Sequence, residues 1–165
     1  MTREVDGFKT VNANIRAPAT FDMDDGTVKG DEAVAGEIGE LKTASLAVGA
    51  ATALVTATPK TIISMTLTPG DWDVSGVVDF LPAATTSITV LGEGVSTVDN
   101  TFGADDTYAL GSMAAVVPGA VAQRYMTPVR RINVIADTIV YLIGSATFTV
   151  AAMTAFGTIR ARRVR

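Results

Sequence analysis

The chain has 165 residues, of which 48% are hydrophobic and 18% are charged. This length and balance predict one folded domain with an extension and exclude a chain that is disordered throughout. The sequence contains no cysteine and no histidine, so disulfides, thiolate nucleophiles, imidazole bases and ordinary zinc sites are excluded.

The apolar residues are mostly alanine and valine, and aromatic residues make up only 6%. Small and β-branched side chains favour tightly packed strands over a bulky helical core. The mean hydropathy of +0.35 is high for a monomer, so part of the apolar surface is expected to meet another subunit. The beginning MTREVDGFKT has no apolar signal core, and no apolar run approaches the roughly 18 residues that span a bilayer. We therefore expect a soluble chain with no membrane partner.

Charge is unevenly distributed along the chain, although the net charge is only −4. Residues 1–123 are predominantly acidic, whereas residues 124–165 carry seven arginines and one aspartate. This separation favours contact between acidic and basic faces of neighbouring copies, or docking on a partner. The overall acidity argues against nucleic acid as the main partner.

Residues 1–35 differ from the rest of the chain, because their periodicity is poor and they are rich in acidic residues and glycine. They predict an extended N-terminal arm with weak strand character at 8–15. Asp22, Asp24 and Asp25 are candidate calcium ligands, since calcium prefers hard oxygen donors. Their spacing does not match an EF-hand loop, so an acidic arm that is solvated or docked on basic neighbours is favoured.

From residue 36 onward, short β-type runs alternate with turn signals. Residues 37–48 are a candidate first strand, although propensity alone also allows an alanine-rich helix over 41–54. The next strand is predicted at 61–68, with an apolar face formed by Thr61, Ile63, Met65 and Leu67.

The dipeptide Pro69–Gly70 predicts a tight turn, because proline fixes φ and glycine supplies a positive φ. The run Asp71–Phe80 is then the predicted hairpin partner of the preceding strand, with one buried and one solvated side. The alternation places these residues on the buried side: Trp72, Val74, Gly76, Val78 and Phe80.

The second half of the chain shows the same alternation of strands and loops. Residues 92–122 are rich in glycine, aspartate and alanine and predict a long loop. The predicted strands are 87–91, 128–136, 139–149 and 155–164. In the last strand Arg160 and Arg162 share one face, and Arg163 lies on the other. Taken together, the pattern predicts an all-β chain, an antiparallel β-sandwich of jelly-roll type with about eight strands, formed by residues 36–165.

Two stretches resemble the β-sandwich knob of small virion proteins from tailed bacteriophages and prophages: TLTPGDWDVSGVVDF (66–80) and TIVYLIGSATFTVAAMTAFGTIRARRVR (138–165). In that family the pattern LT-x-G-D-W-D-V-S-G opens a strand, and A-x-G-x-I-x-A-R-R-V-R closes the fold. The resemblance covers roughly residues 36–165 and leaves residues 1–35 unmatched. Ile143–Gly144 departs from the family pattern and predicts a β-bulge at that position.

The resemblance implies a homotrimer with a jelly-roll-like knob, located on the exterior of the phage particle and made in the host cytoplasm. A short arm without a long shaft favours capsid decoration or a head fibre, bound to the major capsid protein or another virion protein. The alternative is a tail-fibre tip that recognises a glycan on the host surface. The candidate anchors of the arm on the capsid are Phe8, Val11, Ile15 and Phe21.

Trp72 has two readings, because it lies between Asp71 and Asp73. One is a sugar-stacking aromatic with two carboxylate acceptors, and the other is a core tryptophan. Its apolar face-mates favour the core. The expected structural core residues are Trp72, Val74, Phe80, Tyr141 and Phe148.

The arginine cluster near the end of the chain consists of Arg160, Arg162, Arg163 and Arg165. Pairing with carboxylates of the same chain or of another subunit is favoured, with Arg160, Arg162 and Arg163 as the main candidates. A capsid contact and nucleic-acid binding are weaker alternatives, because the cluster lacks interleaved aromatic residues. No cofactor, metal or enzymatic activity is expected. Asp71 and Asp73 are the only acidic pair beside an aromatic residue, and nothing places them in a cleft.

Overall fold

The structure is a computed structural model that describes residues 33–165. These residues form one compact unit of ten β-strands with a single 3-10 turn at Val48–Ala50. Within this unit no helix is long and apolar enough to cross a membrane. The predictions for the arm lie outside the described residues: Phe8, Val11, Ile15 and Phe21 as anchors, and Asp22, Asp24 and Asp25 as calcium ligands.

The strands form two antiparallel sheets that pack as a β-sandwich, which confirms the predicted fold class. Sheet A has the order β1-β10-β4-β7, with β2 beside β10 and β8 beside β4. Sheet B has the order β3-β9-β5-β6. The strand bounds are β1 Leu41–Leu46, β2 Thr52–Ala53, β3 Lys60–Leu67, β4 Gly70–Pro82, β5 Ser87–Ser96, β6 Tyr108–Val116, β7 Gln123–Met126, β8 Arg130–Val134, β9 Thr138–Thr149 and β10 Met153–Arg163.

Strands β4 and β10 form the centre of sheet A and pair over eleven residues, from Met153 opposite Pro82 to Arg163 opposite Trp72. Their strict alternation of side chains turns one apolar face of each strand towards sheet B. Fully buried side chains on these faces include Trp72, Val78, Phe80 and Ile159. They pack against residues of sheet B to form one core between the two sheets.

The predicted hairpin at Pro69–Gly70 is wrong, because the two strands that flank it belong to different sheets. Strand β3 pairs with β9 in sheet B, whereas β4 pairs with β10, β7 and β8 in sheet A. Leu67 and Trp72, on either side of the turn, are both fully buried in the core between the sheets. Gly70 has a φ of +150°, a conformation that side chains disfavour, and there the chain crosses from one sheet to the other.

The predicted loop over 92–122 is also wrong, because it contains half of β5 and all of β6. Glycines that indicate a loop in the sequence have a packing role here. A side chain at Gly92 would lie 2.2 Å from a methyl group of Leu110, and one at Gly94 would lie 2.5 Å from Tyr108 Cβ. The glycines of β5 therefore make room for side chains of β6, and of the predicted loop only residues 97–107 and 117–122 lie outside the strands.

Three further details refine the predicted strands. The first strand is shorter than 37–48, and the segment 41–54 contains two strands and a 3-10 turn in place of the alternative helix. The predicted bulge near Ile143–Gly144 is a shift in register on the partner strand, between Thr61 and Ile63. As a result Ile62 is buried, while Ile63 and Met65 are partly buried against the core.

The edge of sheet A beside β4 is made of two short strands, β7 and β8. They are separated by Thr127–Val129, which includes Pro128 and thus lacks one backbone donor. At this interruption Thr127 connects the edge to β4 through two hydrogen bonds with Gly76. Its Oγ1 accepts a hydrogen bond from the Gly76 backbone N–H at 2.8 Å, and its own N–H donates to the Gly76 carbonyl at 2.9 Å.

Candidate interaction surfaces

Arg163 is the only one of the three predicted pairing arginines that is buried, with 5% of its surface exposed. Its Nε donates to Glu40 Oε2 at 3.0 Å, and its Nη1 and Nη2 donate to the Pro69 carbonyl at 2.6 Å and to Thr68 Oγ1 at 2.7 Å. The guanidinium carbon lies 4.3 Å from the centre of the Trp72 ring. Arg163 therefore connects three parts of the chain: Glu40 just before β1, the β3–β4 crossing at residues 68–69, and the core tryptophan.

The groups around Arg163 fit this role closely. A side chain at Gly70 would lie 1.8 Å from Arg163 Nη1, so only glycine fits at that position. Burial raises the pKa of Glu40, but the Gly36 backbone N–H and the Arg163 guanidinium outweigh it, and the net pKa lies below its usual value. Glu40 is thus an ionised partner that neutralises a buried cation.

Trp72 is fully buried, and its Nε1 donates to the Thr68 carbonyl at 2.9 Å. Its ring faces Arg163 and lies 5.4 Å from Lys42 Nζ, so it is enclosed and does not offer a face to a sugar. Val74 and Phe80 are also fully buried, and Phe148 is partly buried against the core. Tyr141 differs from its expected core position. It is half-buried and lies on the outer face of β9, because the strand turns its neighbours Val140 and Leu142 inward.

Arg160 and Arg162 are exposed on the outer face of sheet A, the face opposite to that of Arg163. Arg162 lies across from Asp73 in the strand register, and Arg160 lies across from Ser75. Within the described part of the chain neither makes a salt bridge. The alternation of β10 thus separates one structural arginine from two that are available at the surface.

The other arginines of this face are paired with buried aspartates on β4. Arg124 forms two hydrogen bonds with Asp79, at 2.7 and 3.1 Å, and Arg131 forms two with Asp71, at 2.9 and 2.7 Å. The hydrogen bond from Arg131 lowers the pKa of Asp71 despite burial of the carboxylate, and Arg165 at 3.5 Å adds to the effect. These pairs attach β7 and β8 to the centre of sheet A.

The β5–β6 loop, residues 97–107, covers a second apolar cluster on the outer face of sheet B. Phe102 and Tyr108 stack with ring centres 4.8 Å apart, and the Tyr108 hydroxyl donates to Asp105 Oδ1 at 3.1 Å. This bond raises the pKa of Tyr108. Asn100 Oδ1 accepts from the Thr61 backbone N–H at 3.0 Å and fixes the loop to β3. Ile143, fully buried but outside the core between the sheets, lies on this face.

Glu93 is a buried carboxyl group on the inner face of β5, only 4% exposed. It lies on the same face of the strand as Leu91 and Val95, which belong to the core. Its neighbours across the ladder are Gly144 and Ala109, and these small residues leave space for the carboxyl group. Burial raises the pKa of Glu93 to about 7.

The two long sides of the sandwich, where the edges of the two sheets meet, differ in their chemistry. The β1–β3 side is closed by Lys42, whose Nζ donates to the Thr66 carbonyl of the other sheet at 3.2 Å and lies 3.9 Å from Glu40 Oε1. We call residues 108–129 on the opposite side the apolar side, since Arg124 is their only charged residue. Among residues 33–165 no hydrogen bond joins β6 to β7, and Arg130 closes only one end by donating to the Val95 carbonyl at 3.2 Å.

No protein-family model matches the chain, and the search of curated proteins finds no match. Within residues 33–165 no group of three or more carboxylates is placed to hold a metal ion.

Sequence reasoning missed the apolar side and Glu93. The uncharged run from 108 to 122 was visible in the sequence, but its glycines and Pro118 favoured a loop. A lone glutamate between glycines gives no signal of burial, because its environment depends on the register of β5 with β6 and β9.

Proposed function

We propose that this chain is a non-catalytic structural protein of a tailed-phage virion, of the capsid decoration or head-fibre type. It would bind the major capsid protein or another virion protein through residues 1–35. It would project its sandwich from the exterior of the particle as a homotrimeric knob. The observation that supports this proposal is that the two stretches that resemble the virion knobs contribute neighbouring, paired strands.

These two stretches are far apart in the sequence and adjacent in the fold. TLTPGDWDVSGVVDF contains residues 70–80 of β4, and the ending FGTIRARRVR contains residues 156–163 of β10. The two strands pair along the whole of β10, and the hydrogen bonds of Arg163 and the close approach at Gly70 join their motif residues. The resemblance therefore rests on residues that together build one end of the sandwich, and this supports a knob of that kind.

The exposed arginines fit the same proposal. Arg160 and Arg162 present two cations on the outer face of sheet A, beside the paired groups Asp71, Asp79 and Arg131. Such cations favour a carboxylate-bearing surface of a neighbouring subunit or of the capsid. A charge-reversal variant R160E/R162E is expected to weaken that contact without unfolding the sandwich, since both side chains are exposed.

The test is particle binding by two forms of the purified protein, the full chain and a variant that lacks residues 1–35. The variant retains all ten strands of residues 33–165 and their core, so its thermal unfolding is expected to stay cooperative. The full chain should sediment with undecorated capsids of its phage, and the variant should not. Equal binding by both forms would disprove the role of the arm, and no binding by either would disprove decoration.

The second candidate function is glycan recognition by a tail-fibre tip, and the β5–β6 loop is the feature that favours it. This loop places Asp105 beside the stacked pair Phe102–Tyr108 and also carries Asp99 and Asn100, which bond to each other. Carboxylate and amide groups next to an aromatic surface are suited to sugar hydroxyls and ring faces. If the purified protein blocks phage adsorption to host cells and F102A abolishes the block, the tip is the better assignment.

A further inference from the structure

We propose that Glu93 controls the attachment of strand β6 to β5: the strand stays paired while the carboxyl group is protonated, and it opens when the group ionises. The proposal concerns the sandwich of residues 33–165 by itself, so it does not depend on the function proposed above. It rests on the burial of Glu93, on the lack of an ionic partner around it, and on the pairing of the two strands beside it.

Glu93 lies in an apolar environment on the inner face of sheet B. Only 4% of its surface is exposed, and the residues on either side of it on the same face, Leu91 and Val95, belong to the core. Across the ladders lie Ala109 of β6 and Gly144 of β9, and neither has a polar side chain. An ionised carboxyl group at this position therefore loses its hydration without compensation.

The other titratable groups of the sandwich do not compensate a charge on Glu93. Those on the inner faces of the other strands are Lys42, Lys60, Tyr125, Arg130 and Arg163. Within residues 33–165 none of them forms a salt bridge with Glu93. Lys42 and Arg163 instead contact Glu40, and Arg130 donates to the Val95 carbonyl. Burial alone raises the pKa of Glu93 to about 7.

The two strands beside Glu93 differ in how firmly they are attached. Strand β9 pairs with both β3 and β5, whereas β6 pairs with β5 alone. The ladder between β6 and β5 is regular only from Tyr108 to Ser112, and a shift in register precedes Val116. Ala109, opposite Glu93, lies within this short run. Because moving β9 would break two ladders, the opening of β6 is the less costly way for water to reach the carboxylate.

The direction of the response follows from the pKa of Glu93 in the closed and open forms. It is about 7 when β6 is closed, and it returns towards 4.5 when the carboxyl group is hydrated in the open form. Between these values the open form binds fewer protons, so a rise in pH favours opening, and the effect levels off above about pH 7. We expect the opening constant of β6 to rise at least about tenfold between pH 5 and pH 8.

Hydrogen exchange of the full-length protein tests the proposal, for the wild type, E93Q and D105N between pH 5 and pH 8. After correction for the intrinsic pH dependence of exchange, the protection of the amides from Tyr108 to Ser112 should fall at least about tenfold in the wild type as pH rises. In E93Q it should change by less than about threefold, because glutamine does not titrate. D105N removes a carboxylate that binds Tyr108 on the other face of the sheet, and it should keep the wild-type response.

Three outcomes of this experiment would overturn the proposal. The first is a wild type in which the protection of β6 does not depend on pH, and this result needs no variant. The second is an E93Q protein that responds to pH as the wild type does. The third is a D105N protein that has lost the response, since the titrating group would then belong to the β5–β6 loop.

Urea distinguishes an opening of β6 from unfolding of the whole sandwich, which also depends on the ionisation of Glu93. Exchange of the β6 amides should hardly change up to about 1 M urea, because a local opening exposes little surface. Exchange of the β10 amides through global unfolding should accelerate over the same range. Equal acceleration of both strands would overturn a separate opening of β6. Particle binding plays no part in these measurements, so the proposed function and this proposal can fail independently.

Discussion

The two long sides of the sandwich show two ways of ending a β-sheet. On the β1–β3 side, Lys42 reaches from one sheet to a backbone carbonyl of the other, and Glu40 holds both Lys42 and Arg163. On the apolar side, no hydrogen bond of the described residues joins β6 to β7, and Arg130 closes only one end by donating to the Val95 carbonyl. We call the β1–β3 side the closed side, because a charged side chain joins its two sheets there. On the apolar side the only charge, Arg124, pairs with Asp79 of its own sheet. The placement of charge therefore distinguishes the two sides.

The largest expected effect tests the closed side. Replacing Arg163 by alanine removes the cation that binds Glu40, Thr68 and Pro69 and leaves Glu40 buried without its partner. We expect a loss of about 3 kcal/mol in the free energy of unfolding, because breaking a buried pair exposes the desolvation cost of the remaining charge. Urea denaturation measures it.

The matched control for this variant is R162A, one residue away on the same strand but exposed. It should change the free energy of unfolding by less than about 0.5 kcal/mol. If the two variants are equally stable, the closed side is not held by Arg163. An R163K variant should recover only part of the loss, since lysine cannot reproduce the forked hydrogen bonds of a guanidinium.

A smaller effect is expected next to the apolar side, at Glu93. Its pKa is about 7 in the folded protein and 4.5 in the unfolded chain, so folding favours the protonated form. Between these values the folded state binds more protons, and stability falls as pH rises from about 4.5 to 7 and then levels off. We expect a loss of about 1–2 kcal/mol over this range, because partial solvation reduces the full effect of the shift.

The measurement is the thermal unfolding of the wild type and of E93Q between pH 4 and 8. Glutamine keeps the shape of the side chain and removes its titration, so the E93Q curve should be flatter than that of the wild type over this range. A wild type whose stability does not fall between pH 4.5 and 7 would show that Glu93 is solvated.

The smallest effect concerns the pair Asp71–Arg131, which attaches β8 to β4. The pKa of Asp71 is lowered in the folded state, so its contribution is present above pH 3.8 and is lost as pH falls through the folded value. The variant D71N should therefore lower the free energy of unfolding at neutral pH and weaken the further loss of stability below about pH 4. Acid titration followed by tryptophan fluorescence reports it, since Trp72 is the only tryptophan.

Those parts of the fold that depend on local alternation could be predicted from the sequence. The inward face of β4, the opposite faces of Arg162 and Arg163 and the long strand β9 all follow from a period of two residues. The partners of each strand could not be predicted in the same way. Pro69–Gly70 carries the same signal for a turn within a sheet and for a crossing between sheets. Gly92 and Gly94 indicate a loop until the side chains of β6 are placed across them.

The candidate surfaces were predictable only in part, for a related reason. The arginine cluster is visible in the sequence, but its division into one buried and two exposed members depends on the phase of β10. The hydrogen bonds of Arg163 depend on Glu40, more than one hundred residues earlier, and no local pattern connects them. The open edge of β6 emerges only when β5 is known to be its sole neighbour in sheet B.

The interruption of the sheet A edge at Thr127–Val129 has a practical consequence. An incoming strand could bond to only four residues of β7 or five of β8 before meeting Pro128, and on β6 the regular run Tyr108–Ser112 ends at a shift in register before Val116. Short interrupted runs of this kind hinder the addition of a further strand on this side of either sheet.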